Sequence, residues 1–364
     1  MHRLPLILAI LALPLAGVSH ATPAAAELVE KEYQASMEKW SLELRLAETP
    51  EARNAAIAKR PDPHAFAKRM WTAIGGSLKE EWTIEPAAWF LSLASNLLVQ
   101  KPDGGAAPAF AAESQAIRDA VAKHHITSPK LTPMCFALTA GSDPGTLSLL
   151  EKISTSNPDK KIQGVAALAI AMVLKTSGDT PELMAKRLTS IKKAIIDSAD
   201  VEINGTTVSK IAADELYIIR YLTKGRVAPD LQGTDSGGRA ITLAEHKGKI
   251  IILLFWNSKV PEATRVVEFA NALQEKYRGQ PVVLLGVNND PVEQLRNFQA
   301  DGTVKWPNFS DPENKLSAQY RIGTWPLAYV LDGERRVNFA GAPGSFVEFA
   351  VEALLHPEAA APKK

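Results

Sequence analysis

Seven consecutive apolar residues, Ile250-Ile251-Ile252-Leu253-Leu254-Phe255-Trp256, constrain this chain more than any other feature. The run is too short to cross a bilayer, and it lacks the polar alternation of a strand with one wet face. It reads as a strand covered on both sides, the position of a central strand in a helix-flanked sheet. The flanking sequence fits that position. Pro261 is expected to open an amphipathic helix reaching about Tyr277, with Val266, Phe269, Ala270 and Leu273 on one face. Val282–Val287 reads as a second buried strand and Pro291–Ala300 as a second helix. A short helix over Leu316–Tyr320, strands at Leu327–Leu331 and Val337–Ala340, and a last helix over Phe346–Leu355 complete the pattern. This order predicts a compact α/β domain with a mixed central sheet.

The preceding residues follow a different period. From about Ala24 to Leu222 the chain reads as successive helices, beginning with Val29, Tyr33, Met37, Trp40 and Leu44 at steps of three or four. Five pairs place a capping residue before proline: Thr49-Pro50, Asp62-Pro63, Asp143-Pro144, Asn157-Pro158 and Thr180-Pro181. Such a side-chain oxygen can accept from an orphan N–H, while proline gives up a donor that the first turn would leave unused. Apolar helical runs are expected over Trp89–Val99, Val165–Leu174 and Leu183–Ile196, with β alternation only around Val201–Val208. Helices of this length with short connections predict an α-helical N-terminal domain, a bundle or short solenoid, over residues 22–222. No clean 34-residue repeat is visible. The α/β domain is assigned to residues 225–355 and a flexible tail to 356–364, which suits a 364-residue chain of about two domains.

Residues 1–21 read as a cleaved secretory signal. Arg3 supplies the positive start, Leu4–Val18 an apolar core, and Ser19-His20-Ala21 small residues at the two positions a signal peptidase reads. Pro5 and Pro14 and the short apolar run argue against a membrane anchor. Val18 stands where the acylated cysteine of a lipoprotein would be, after Leu15-Ala16-Gly17. The mature chain is therefore expected to be periplasmic or secreted, not lipidated and not inserted in a membrane. With 41 Lys+Arg against 40 Asp+Glu, charge gives no reason to expect a nucleic-acid partner. The single cysteine, Cys135, excludes an intrachain disulfide, a CxxC redox pair and a multi-cysteine zinc site. It lies in the apolar run Leu131–Leu138 and reads as a small buried hydrophobe. His124 and His125 are adjacent, so on a helix they face different ways and read as a helix-end pair. No metal and no cofactor are expected.

In the second half, specific residues resemble a known family. The segments Ala228-Pro229-Asp230, Thr234-Asp235, Ile241-Thr242-Leu243 and Lys247-Gly248-Lys249 are similar to the N-terminal hairpin of the exported TlpA-like branch of the thioredoxin/redoxin (AhpC/TSA) superfamily. Leu254-Phe255-Trp256 resembles that family's strand before the active site. Gly323-Thr324-Trp325-Pro326, followed by Tyr329-Val330-Leu331-Asp332, resembles its cis-proline loop and the next strand. The resemblance runs from about Gly225 to Leu355 and implies a thioredoxin-like fold. The helical half resembles, more weakly, the N-terminal extension of some exported members.

The resemblance also implies where two cysteines would stand, and neither is present. In Trp256-Asn257-Ser258-Lys259-Val260-Pro261-Glu262-Ala263, Val260 takes the place of the first thiol and Ala263 that of the second. Thiol chemistry needs a thiolate stabilised at a helix N-terminus and a second thiol one turn later to resolve the mixed disulfide. Val260 cannot ionise and Ala263 cannot resolve. Ser258 is read as a candidate helix cap, and Glu262 as a first-turn acid favoured by the helix dipole. What the fold retains is the groove beside the cis-proline, where the residue before that proline would offer backbone hydrogen bonds to an extended chain. Trp256, Val260, Pro261, Thr324, Trp325 and Pro326 are its candidate residues, with Trp325 and Val260 expected to form an apolar patch. Two functions are compatible with this sequence. One is a redox-inactive exported protein binding a peptide or protein of the cell envelope through the groove, the helical domain, or both. The other is the family's thiol-disulfide or antioxidant activity by a route that avoids a CxxC pair.

Overall fold

The computed structural model describes residues 21–357 apart from Glu48, Asp103, Ser142 and Asp179. The expected signal therefore lies outside the described residues except at Ala21, as do residues 358–364 of the expected tail. Internal contacts divide the chain into two units. One runs to Ser209 without residues 179–181, and the other comprises those three residues and the chain from Lys210 onward.

The first unit contains α1 (Pro23–Leu46), α2 (Pro50–Ala58), α3 (Pro63–Ile74), α4 (Ile84–Ala94), a hairpin of β1 (Leu98–Gln100) and β2 (Ala106–Pro108), α5 (Ala111–Ala120), α6 (Thr132–Ala137), α7 (Pro144–Ser156), α8 (Lys160–Lys175), α9 (Pro181–Ser198) and a hairpin of β3 (Glu202–Ile203) and β4 (Thr206–Thr207). α8 is the central helix, buried without interruption from Ile162 to Ala171, which its alanine-rich, nearly all-apolar sequence permits. Gly164 lets α9 approach: a Cβ there would stand 2.5 Å from Ser198 Oγ. Thr49, Asp62 and Asp143 cap as expected, accepting from the amides of Ala52, His64 and Gly145. Two expectations need correction. Asn157 does not cap the helix after it; α8 starts three residues later under Asp159, and Asn157 Oδ1 instead accepts from Asp159 N–H. The helix expected over Trp89–Val99 ends at Ala94, because Leu98 and Val99 pair with Pro108 and Ala107 in the first hairpin. His125 is buried, one ring nitrogen 2.7 Å from the Leu78 carbonyl oxygen.

The second unit holds α10 (Val208–Tyr221) from Lys210 onward, then a hairpin of β5 (Gln232–Thr234) and β6 (Ala240–Thr242). Its core is β7 (Ile250–Trp256), α11 (Ala263–Lys276), β8 (Val282–Asn288), α12 (Val292–Ala300), β9 (Asn308–Ser310), α13 (Lys315–Gln319), β10 (Leu327–Leu331), β11 (Val337–Gly341) and α14 (Ser345–Leu355). The sheet order is β11-β10-β7-β8-β9, with β7, β8 and β9 parallel and β10 antiparallel to both β7 and β11. All seven residues of β7 are buried, as the apolar run requires. Its parity sorts them. Ile250, Ile252, Leu254 and Trp256 pack with Val266, Ala270 and Leu273 of α11, Leu295 of α12, and Val347 and Val351 of α14. Ile251, Leu253 and Phe255 pack on the other face with Leu231, Leu243 and Tyr320, against which Tyr217, Ile218 and Tyr221 of α10 also lie. Those three side chains explain why the contact division falls at Ser209/Lys210, ahead of residue 222 where the sequence places the end of the helical domain.

Candidate functional site

The segment after β7 is a turn built from side-chain acceptors. Asn257 Oδ1 accepts from the amides of Lys259 (2.9 Å) and Val260 (3.2 Å). Ser258 is tied downward to Asp290, its amide donating to Oδ2 (2.8 Å) and its hydroxyl to Oδ1 (3.0 Å). Asn288 Nδ2 donates to the same carboxylate (2.9 Å), and Gln294 Nε2 donates to Ser258 Oγ (2.9 Å). Asp290 is fully buried and lies just beyond β8. A buried carboxylate needs its lone pairs filled, and here neutral donors on the turn and on the strand end fill them. Ser258 is thus not the cap expected of it: both its donors point to Asp290. α11 begins at Ala263, so Pro261 lies in the turn and does not open the helix; Glu262 occupies the N-cap position without a side-chain cap bond. Val260 and Ala263 are half-buried and Pro261 is exposed.

Beside this turn is a groove of about 640 Å3. Glu262, Arg265, Val266 and Phe269 line one side at the three- and four-residue steps of a single helix face. Thr324, Trp325, Pro326 and Leu327 line another side, with Ala342 and Pro343 after β11. The Trp325–Pro326 peptide bond is cis, in agreement with the resemblance. Pairing of β10 with β7 begins at Leu327 opposite Phe255, so Thr324 and Trp325 stand outside the sheet ladder. Trp325 is half-buried and meets Phe255 edge-on, ring centroids 6.4 Å apart.

Of the six candidate residues, Thr324, Trp325 and Pro326 come together in the groove, while Val260 and Pro261 belong to the turn next to it and are not among its lining residues. Trp256 is a correction. It is 1% exposed, wedged beside Phe298 and Trp306, with Nε1 donating to Asn308 Oδ1 at 2.8 Å. Strand parity turns it to the face opposite Phe255, and Phe255 is the β7 aromatic that supports Trp325. Arg265, Phe269, Ala342 and Pro343 were not anticipated. The helical spacing 262, 265, 266, 269 was a usable signal for the first two, whereas the last two are brought in by β11.

Cys135, of the first unit, is fully buried, and burial pushes its thiol up to about 12. Burial thus favours the neutral thiol over the nucleophilic thiolate. Among the described residues no cluster of three His, Cys, Asp or Glu could hold a metal ion, and no helix is long and apolar enough to cross a membrane.

Residues 224–340 match the model of the AhpC/TSA family. The second unit carries a TlpA-like redoxin domain. The chain is 28% identical over 114 residues to the thiol-disulfide oxidoreductase ResA of Bacillus cereus, covering 31% of this chain and 66% of that one. It is also 28% identical over 115 residues to ResA of Geobacillus kaustophilus, with the same coverage. The chain thus spans just under two thirds of the length of these relatives. Among solved structures, the thioredoxin domain of a thiol-disulfide oxidoreductase from Bacteroides vulgatus is 21% identical, covering 36% of this chain and 96% of that one, with a TM-score of 0.33.

Proposed function

We propose that this protein is an exported redoxin-domain protein that binds an extended peptide or protein segment of the cell envelope in the cis-proline groove without thiol chemistry. The observation that carries this reading is the groove itself. It keeps Trp325-cis-Pro326 at its wall and is lined by Glu262, Arg265, Val266 and Phe269, with no ionisable sulfur. An extended chain laid along Thr324 and Trp325 would find backbone groups that the sheet ladder does not use, which is the strand-addition mode of recognition. Phe269 and the Trp325 ring offer apolar contact to its side chains, and Glu262 and Arg265 offer one charge of each sign. Export rests on the N-terminal pattern around Arg3, Leu4–Val18 and Ala21. The first unit stands as a second candidate surface for the same partner.

The test is to pan a phage-displayed random-peptide library on the mature chain and to measure the selected peptides against wild type and Trp325→Ala. The reading expects common peptides whose affinity falls at least about tenfold in the variant, the loss usual for a buried aromatic anchor. Full affinity in Trp325→Ala removes the groove as the binding site.

A further inference from the structure

A second concave surface, of about 650 Å3, lies in the first unit, and its chemistry differs from that of the groove. Tyr33, Met37 and Trp40 enter it from one face of α1 at steps of four and three, and Trp89 enters from α4; all four are half-buried. The rings are held in place. Tyr33 and Trp89 meet edge-to-face, centroids 5.5 Å apart, and Tyr33 packs on Phe66 at 5.0 Å. Trp40 Nε1 donates to the Ala56 carbonyl oxygen at 2.8 Å. Carboxylates of Glu30 and Glu38 stand at the rim, with Arg45 the one cationic lining residue. Partial burial and the nearby carboxylates of Glu85 and Glu27 raise the Glu30 pKa above its ordinary value. Two carboxylates therefore stand where the rings cluster, facing the guanidinium groups of Arg45 and Arg60. The protein already uses one of these rings for a cation, since the Arg60 guanidinium lies over Trp40 at 5.5 Å from its centroid.

We propose that this α1/α4 site binds a small organic ammonium ion of the quaternary or methylated-amine class. An aromatic face attracts cations through its quadrupole, and the attraction survives best for an ion that gives up little hydration. Alkylammonium ions satisfy this, whereas a primary ammonium is strongly hydrated. Glu30 and Glu38 add Coulombic attraction that a neutral molecule cannot exploit and that repels an anion. Met37 supplies apolar contact for the N-methyl groups.

The experiment titrates the mature chain with choline chloride, read by tryptophan fluorescence and calorimetry, and repeats it with 3,3-dimethyl-1-butanol, an uncharged molecule of the same shape. Saturable choline binding is expected, with a Kd on the order of 1 mM, and binding of the alcohol at least about tenfold weaker. Glu30→Gln should weaken choline about threefold or more without lowering the melting temperature, since the charge it removes is crowded by Glu85 and Glu27. Trp89→Ala should abolish binding. The proposal is overturned by no saturable signal up to about 50 mM, by equal binding of the alcohol, or by unchanged choline affinity in both variants. Tighter binding of tetralysine than of choline overturns it as well, because the site would then serve a basic protein segment.

Discussion

The underside of the 257–260 turn and the rim of the groove beside it are built on opposite terms. Beneath the turn, Asn257, Asn288 and Asp290 are all buried, and their side chains are joined by hydrogen bonds to the turn, to the strand end or to one another. At the rim, Glu262, Arg265 and Thr324 are exposed and Trp325 and Phe269 half-exposed, with no thiol among them. The difference teaches that the scaffold which aims this loop is kept separately from the groups that would perform chemistry on it. The turn is thus held by its buried hydrogen bonds whatever side chains its rim carries.

The largest loss is expected at Gly286 in β8, under the strands that carry the turn, where a Cβ would lie 1.7 Å from Asn308 Oδ1 and 2.9 Å from Trp306 Nε1. Gly286→Ala must displace the Asn308–Trp256 hydrogen bond, so urea unfolding should show a loss of about 3 kcal/mol or more. Asp290→Ala comes next. It leaves the Ser258 amide, the Ser258 hydroxyl and Asn288 Nδ2 without their acceptor, at about 2–4 kcal/mol, with hydrogen exchange rising at residues 257–260. Trp325→Ala removes a larger side chain yet should cost less, about 1–2 kcal/mol, because the indole is only half-buried. If Trp325→Ala proved more destabilising than Asp290→Ala, the rim would be structural and the contrast would fail.

The smallest effect is expected at an outer ion pair. Glu352 accepts from the Tyr277 hydroxyl and is paired with Lys276, and these hold its carboxyl below its ordinary pKa. A depressed carboxylate contributes stability above its unfolded pKa and loses that contribution as pH falls through the folded value. Glu352→Gln should therefore lower stability slightly at neutral pH and flatten the acid limb of the stability profile. Salt should erase the difference, since the pair is well exposed.

The residues themselves explain what was legible in sequence. β10 was located at its observed bounds and β11 to within one residue, because short apolar runs bounded by turn residues leave little freedom. Trp256 was misplaced because a fully apolar strand carries no parity: nothing in Ile250–Trp256 says which of Phe255 and Trp256 faces the groove. Asp290 was missed because its partner Ser258 is 32 positions away and neither residue type announces burial. β9 was missed because Asn308-Phe309-Ser310 is a three-residue edge strand with weak β preference, ordered by its pairing with Gly286, Val287 and Asn288 of β8. The cis bond at Trp325 was readable only through the family resemblance.

The central claim, a redoxin domain that binds without thiol turnover, is tested most directly by insulin-disulfide reduction and peroxide consumption with the purified mature chain and with Cys135→Ala. The account predicts rates equal to the protein-free control for both proteins. Turnover by wild type that persists in Cys135→Ala would contradict it.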